Sequence, residues 1–344
     1  MILTSVDNHL GRIRLDRPKA LHALNLEMCE AMLSALEAWR DDLSVHAILI
    51  DHAEGRGFCA GGDIRMIADS SAGDGAAARA FFATEYRLNH RLFTYAKPTI
   101  AVMDGVTMGG GVGISQPCKV RIATDNTRFA MPETAIGLFP DVGGGWYLSR
   151  LPGRIGQYLA LTGARLDGSE MLALGLATHL VPAGALDDIK RAIAANPLAT
   201  GTILADHATT PGEAAILTQR AAIDRLFASD DFEEILSALE ADGSDWASTQ
   251  LATLRQRSPL SCKVSLKLLL DGATMPTFED EMRQEYAVVT RIVQRPDIVE
   301  GVRAVIVDKD HAPKWDPATP AAVTDHMIDR IFAPLGEDDE WQPH

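Results

Sequence analysis

Apolar residues in the first 130 positions alternate between a two-residue and a helical rhythm, and after about residue 150 only the helical rhythm persists. HLGRIRL (9–15) reads as a half-buried strand, and DRPKA turns the chain. Asn25 is placed to cap a helix over 26–40, where Met28, Met32, Leu33, Leu36 and Trp39 recur at helical spacing. AILI (47–50) is a short buried strand followed by a glycine-rich loop, AEGRGFCAGGD (53–63). An amphipathic helix is expected over 76–95. Buried strands follow at TIAVMD (99–104) and KVRIAT (119–124), separated by GVTMGGGVGIS (105–115). This order predicts an α/β core with its loops gathered at one end of the strands. The α/β region is expected to span 1–190 and a mostly helical region 191–319. A C-terminal tail is expected over 320–344, and its polar end, GEDDEWQPH, is expected to be mobile.

Composition narrows the partners. Hydrophobic residues make up 47% of the 344-residue chain and charged residues 23%, as in ordinary globular proteins. Lys and Arg number 32 against 47 Asp and Glu, a net charge of −15. That balance disfavours nucleic acid and anionic membranes, but a local basic patch can still hold a small anion. Cys29, Cys59, Cys118 and Cys262 are scattered without a CxxC pair, which fits a reducing compartment. MILTSVDNHLGRIRL lacks the features of a signal peptide, and no apolar run reaches the ~18 residues of a membrane helix. A cytosolic protein is expected.

Several motifs can be set aside. GRGFCA (55–60) formally fits a dinucleotide fingerprint, but a loop stands where a second strand and its acid belong. GFCAG (57–61) fits a nucleophile elbow with Cys59 as nucleophile, yet Ala53 to Gly57 intervene between strand and turn. A small buried cysteine is the simpler reading. The histidines show no metal spacing, so no metal is expected. More pointed is FAMPETAIGLFPDVGGGWYL (129–148), where Glu133 and Asp141 stand in an otherwise apolar, Gly- and Pro-rich segment. Pro132–Glu133 makes a good helix start, so capping alone could explain Glu133. Such surroundings should raise the pKa of either acid.

Two glycine-rich stretches, CAGGD (59–63) and MGGGVG (108–113), each follow a buried strand. Either alone could be a tight turn. Together their N–H groups could converge on one oxygen, with a helix opening at GGGVGIS. DRPKALHALN, GRGFCAGGDI, KPTIAVMDGVTMGGGVGIS and FAMPETAIGLFPDVGGGWYLSRL occur in the order and spacing of the enoyl-CoA hydratase/isomerase (crotonase) superfamily, which residues 9–182 resemble. VRAVIVDKDHAPKWDPAT extends the likeness to about residue 319, and it is similar to the branch that hydrolyses 3-hydroxyacyl-CoA thioesters. Residues 195–250 match least.

The resemblance implies a spiral of ββα turns followed by helices that cover the site, a choice the strand pattern alone leaves open. It implies a small-molecule acyl-CoA substrate, no separate cofactor, and a possible homo-oligomer. Gly62 and Gly110 would hold the thioester oxygen. CoA would lie along Lys19, Ala20, Leu21, Phe58 and Ala60, largely through backbone contacts, with Asp63 beside the oxyanion glycine. Lys309 and Lys314 are candidates for its phosphates, or else simply solvated. Hydratases of the superfamily carry a second glutamate three residues after the oxyanion glycine, and here that position is Gly113. One glutamate with Asp141 suits thioester hydrolysis instead, with Glu133 as nucleophile or as general base on water. Asp141 would bind the 3-hydroxyl or orient the water. Glu85 matches a polar site position, although its helix alone would suggest a solvated residue. A short, branched substrate of valine breakdown is implied. Hydration or isomerisation by Glu133 alone, and a silent CoA-binding protein, are the competing readings.

Overall fold

The computed structural model describes all residues, 1–344. It gathers into two compact units, each built from three stretches of chain. One comprises residues 1–62, 87–130 and 165–217, the other 63–86, 131–164 and 218–344. The boundary expected near residue 190 marks where strands cease, since the last is His179–Leu180. The compact units interleave across it.

All nine strands belong to the first unit. β1 (Ile2–Asp7) and β2 (Leu10–Leu15) form an antiparallel pair. β2 then continues in parallel through β3 (Ala47–His52), β5 (Thr99–Met103), β7 (Val120–Ala123) and β9 (His179–Leu180). A second parallel sheet holds β4 (Gly57–Cys59), β6 (Val106–Met108) and β8 (Arg128–Ala130). Each successive pair, β3–β4, β5–β6 and β7–β8, therefore contributes one strand to each sheet. This is the ββ winding of the expected spiral. Of the three-residue strands of the small sheet, β4 and β6 fall in segments read as loops from sequence and β8 in one given no strand, because three residues show no alternation. Their pairing, Gly57↔Val106 and Thr107↔Phe129, is what defines them.

Helix α1 (Leu26–Arg40) starts as expected, with the Asn25 side chain accepting from Met28 N–H at 3.0 Å. The larger sheet packs Leu49, Ile100, Val102 and Ile122 against Ile189 and Ile193 of the Leu186–Ala195 helix. Asp51, fully buried at the end of β3, is neutralised by Arg12 at 3.2 Å and Lys190 at 2.9 Å.

The second unit is helical. It contains α2 (Ile64–Ser71), the first part of α3 (Ala76–Phe93), and α5 (Gly144–Ser149), with the Pro259–Gly272 and Phe278–Ile292 helices. α4 (Gly110–Ser115) belongs to the first unit. A Cβ on Gly145 would lie 2.9 Å from Leu268 Cγ, and one on Gly272 2.5 Å from the Gly145 carbonyl. Glycine at both places lets α5 and the Pro259–Gly272 helix approach to backbone contact. The C-terminal region differs from the mobile tail expected. Asp325–Phe332 is helical, and Trp341 is buried with its indole N–H donating to the Ala83 carbonyl of α3 at 3.1 Å. A single large apolar ring outweighs the polar residues around it.

Candidate active site

In the first unit, adjacent parallel strands β4 and β6 deliver the two glycine stretches to one place. Gly61 adopts φ +114°, and a Cβ there would stand 3.5 Å from Met108 O and 3.7 Å from Gly110 N. A Cβ on Gly111 would lie 2.3 Å from the Cys59 carbonyl. Gly110 opens α4, so its N–H has no acceptor within the helix. The Gly62 N–H likewise makes no hydrogen bond within the chain. Cys59 is buried in β4, as the simpler reading held, with no elbow around it.

The segment 19–24 lies against the same loop. The Ala60 N–H donates to Leu21 O at 3.0 Å, and the Leu24 N–H donates to Gly61 O at 2.7 Å. His22, fully buried, fixes the turn: its Nδ1 accepts from the Arg17 N–H at 2.9 Å and its Nε2 donates to Glu54 O at 2.8 Å. Lys19 is exposed, Ala20 and Leu21 half-buried, and the Phe58 ring wholly buried. Only the backbone of Phe58 can therefore face a ligand. Lys19, Ala20, Leu21, Phe58, Ala60, Gly62 and Gly110 are thus placed in one unit.

The acids are placed in the other. Glu133 begins a short 3₁₀ turn, Glu133–Ile136, rather than the longer helix that capping would serve. It is buried, its Oε2 has no partner, and burial followed by the Asp141 charge raises its pKa well above the carboxylate range. Asp141 is buried and accepts from Tyr86 Oη at 2.8 Å. Burial pushes its pKa up to about 7, and the Tyr86 hydrogen bond opposes that rise. Glu85 is buried with Oε1 unpartnered, so the solvated reading of it does not hold. Burial, then Asp141 and Glu133, raise its pKa well above the usual range. Three carboxyls in one desolvated cluster cannot all ionise, and the cluster titrates as a unit. Such a group can accept or give a proton near neutral pH.

Three further residues of the cluster escape a reading by motif. Tyr86 neighbours Glu85 on α3 and is fully buried, and burial with the nearby acids keeps its phenol protonated. Glu285 accepts from the Gly143 N–H at 2.9 Å and more weakly from the Gly145 N–H at 3.4 Å. These bonds hold the turn after Asp141, where Val142 is forced to φ +54°. A β-branched residue there costs about 1–3 kcal/mol and needs such support. Glu281 lies one helical turn before Glu285 and is fully buried. The available signal was two acids, spaced i and i+4, inside the apolar stripe of Met282, Val289 and Ile292.

Three candidates remain. The Asp63 side chain caps α2, accepting from Met66 N–H at 3.3 Å. Lys309, at φ +56°, and Lys314 are exposed and form no ion pair.

Comparison with known proteins adds the following. The enoyl-CoA hydratase/isomerase family model matches residues 10–332. A mitochondrial 3-hydroxyisobutyryl-CoA hydrolase of Gallus gallus is 41% identical, over 98% of this chain and 90% of its own length. 3-Hydroxyisobutyryl-CoA hydrolase 1 of Arabidopsis thaliana is 40% identical, over 98% and 93%. Among solved structures, a carnitinyl-CoA dehydratase from Mycobacterium thermoresistibile superposes with TM-score 0.94 at 40% identity, covering 98% of this chain and 97% of its own. An enoyl-CoA hydratase from Rhodobacter sphaeroides gives 0.92 at 37% identity, covering 99% of both.

Proposed function

Since the chain belongs to the enoyl-CoA hydratase/isomerase family, we propose that it hydrolyses a short 3-hydroxyacyl-CoA thioester, 3-hydroxyisobutyryl-CoA above all, to the free acid and CoA. The buried trio Glu85, Glu133 and Asp141 carries this reading, because it supplies a base and a hydroxyl-binding acid together. The names of the relatives from Gallus gallus and Arabidopsis thaliana point the same way.

In this mechanism the N–H groups of Gly62 and Gly110 hold the thioester oxygen as it becomes an oxyanion. Each donor of such a hole contributes roughly 2.7–4 kcal/mol to the transition state. Glu133, with an oxygen left unpartnered, either attacks the carbonyl carbon or removes a proton from the attacking water. Asp141, steadied by Tyr86, takes the 3-hydroxyl of the acyl group. Glu85 lines the acyl end. The backbone of Lys19–Leu21 and Phe58–Ala60, with Asp63, receives the CoA, and Lys309 and Lys314 meet its phosphates. Valine breakdown is the setting this substrate implies. Several relatives bear mitochondrial names. The four buried cysteines form no disulfide, which suits a reducing compartment, and no helix is long and apolar enough to cross a membrane.

A second reading, hydration or dehydration of an enoyl-CoA, is favoured by the descriptions of the two solved structures. Against it stands Gly113, which has no side chain to serve as the second acid of a hydratase. Release of free thiol from 3-hydroxyisobutyryl-CoA by the wild type, and its loss in Glu133→Gln, is the expected result. If no CoA is freed while crotonyl-CoA loses its conjugated absorbance, the hydrolase reading fails.

A further inference from the structure

The buried carboxyls do not end at Asp141. Asp141 and Glu285 interact electrostatically across the turn that Glu285 holds. Glu281 lies beside Glu285 on the Phe278–Ile292 helix. Both Glu281 oxygens are buried and without a donor, and its only carboxyl neighbour within bonding reach is Glu285. Two carboxylates offer each other no hydrogen bond until one is protonated. The Gly143 and Gly145 N–H groups favour charge on Glu285, while a hydrogen bond from Glu285 favours charge on Glu281, so the two carboxyls share one proton. Burial, opposed by Glu285 and Arg150, raises Glu281 to about 8.

Space for this carboxyl is made by glycine. A Cβ on Gly145 would lie 2.0 Å from Glu281 Oε1, and one on Gly272 3.2 Å from Oε2. Beyond Glu281 are groups in touch with water. Asp271, paired with Lys267 at 3.0 Å and Gln284 at 2.8 Å, and exposed Arg150 both act on it electrostatically. An uncompensated buried acid is costly to keep, and an apolar residue would fit the stripe better.

We propose that Glu285 and Glu281 carry protons between the Asp141 cluster and the surface at Asp271 and Arg150. This rests on the hydrolase reading. In thioester hydrolysis the C–S bond breaks and a C–O bond forms. Of the two protons of water, one goes to the leaving sulfur. The other is surplus, because the product acid is ionised at neutral pH. It starts on the buried carboxyls, passes from Asp141 to Glu285, and displaces the proton shared by Glu285 and Glu281 to solvent. The rest state returns with no change in the residues.

The test is Glu281→Gln, which keeps shape and removes the exchangeable acid. At low buffer concentration its kcat should fall about tenfold with KM unchanged, less than the 10²–10⁴ of a group acting on substrate directly. Adding imidazole, small enough to ferry protons, should restore it, while the wild type stays indifferent to buffer. Glu281→Asp keeps a carboxyl and should need less imidazole than Glu281→Gln. A wild-type kcat in Glu281→Gln at low buffer overturns the proposal. So does a loss that imidazole leaves untouched in both variants, which would mark Glu281 as a structural support. Infrared difference spectra need no substrate and separate this from the hydrolase reading. Loss or shift of a protonated-carboxyl carbonyl band in Glu281→Gln is expected, and an unchanged band refutes the shared proton.

Discussion

Tyr86→Phe removes one oxygen and, with it, the only side-chain donor to Asp141. Both groups are buried, so no water replaces the 2.8 Å bond. A hydrogen bond to a charged acceptor is worth about 1.5–3 kcal/mol and a neutral one about 0.5–1.5. The difference, about 1–1.5 kcal/mol, is the preference the phenol confers on ionised Asp141. At 1.36 kcal/mol per unit, its loss moves the Asp141 titration up by about one pH unit, from about 7 to about 8. The sign of the stability effect follows from linkage. Asp141 has a folded pKa above its unfolded value, so its ionisation erodes stability as pH rises through the interval between them. The variant carries that erosion about one unit further. Denaturant unfolding should therefore show Tyr86→Phe costing about 1 kcal/mol at pH 6 and about 2–2.5 kcal/mol at pH 9. The other acids of the cluster are common to both proteins and cancel in the comparison. The acid limb of the thiol-release profile should move up by the same unit. Equal costs at the two pH values would refute the role given to this bond.

Gly111→Ala places a methyl 2.3 Å from the Cys59 carbonyl. It should displace the glycine loops and lower kcat/KM by about 10²–10³, the loss expected for one oxyanion donor, measured by thiol release. Asp51→Asn leaves Arg12 and Lys190 without their shared anion, and should cost about 3 kcal/mol in denaturant unfolding, the low end for a buried pair because both cations reach water. The Asp51 pKa is lowered by Arg12 and Lys190 against the effect of burial. Its contribution is therefore present above the ordinary carboxylate range, and the gap to wild type should close as pH falls below about 4.

Local patterns carried much of this structure. Asn25 and the Met28–Trp39 spacing located α1 to the residue, since a cap and an apolar face are both written in consecutive side chains. β4, β6 and β8 were invisible because three residues show no alternation and their partners lie far along the chain, Val106 for Gly57 and Arg128 for Val106. The glycine stretches pointed to a shared oxygen, and β4 and β6 do bring them together. Glu133 and Asp141 stood out because acids are rare in apolar segments. Glu85 needed the family resemblance, since one polar face of a helix looks like another until its surroundings are known. Tyr86, Glu281 and Glu285 gave only a faint signal, as their importance comes from neighbours distant in sequence. Trp341 was overlooked because charged residues dominate the composition of its segment.

The acids of the second unit come from three separated stretches, residues 85, 133–141 and 281–285. In the open chain each is solvated and ionised at neutral pH, and they become neighbours only when long loops have closed. Bringing them together forces some of them to bind protons. Assembly of this unit therefore takes up protons from the medium, and an alkaline solution disfavours it. The protein is made sensitive to base by the same residues that would do its chemistry.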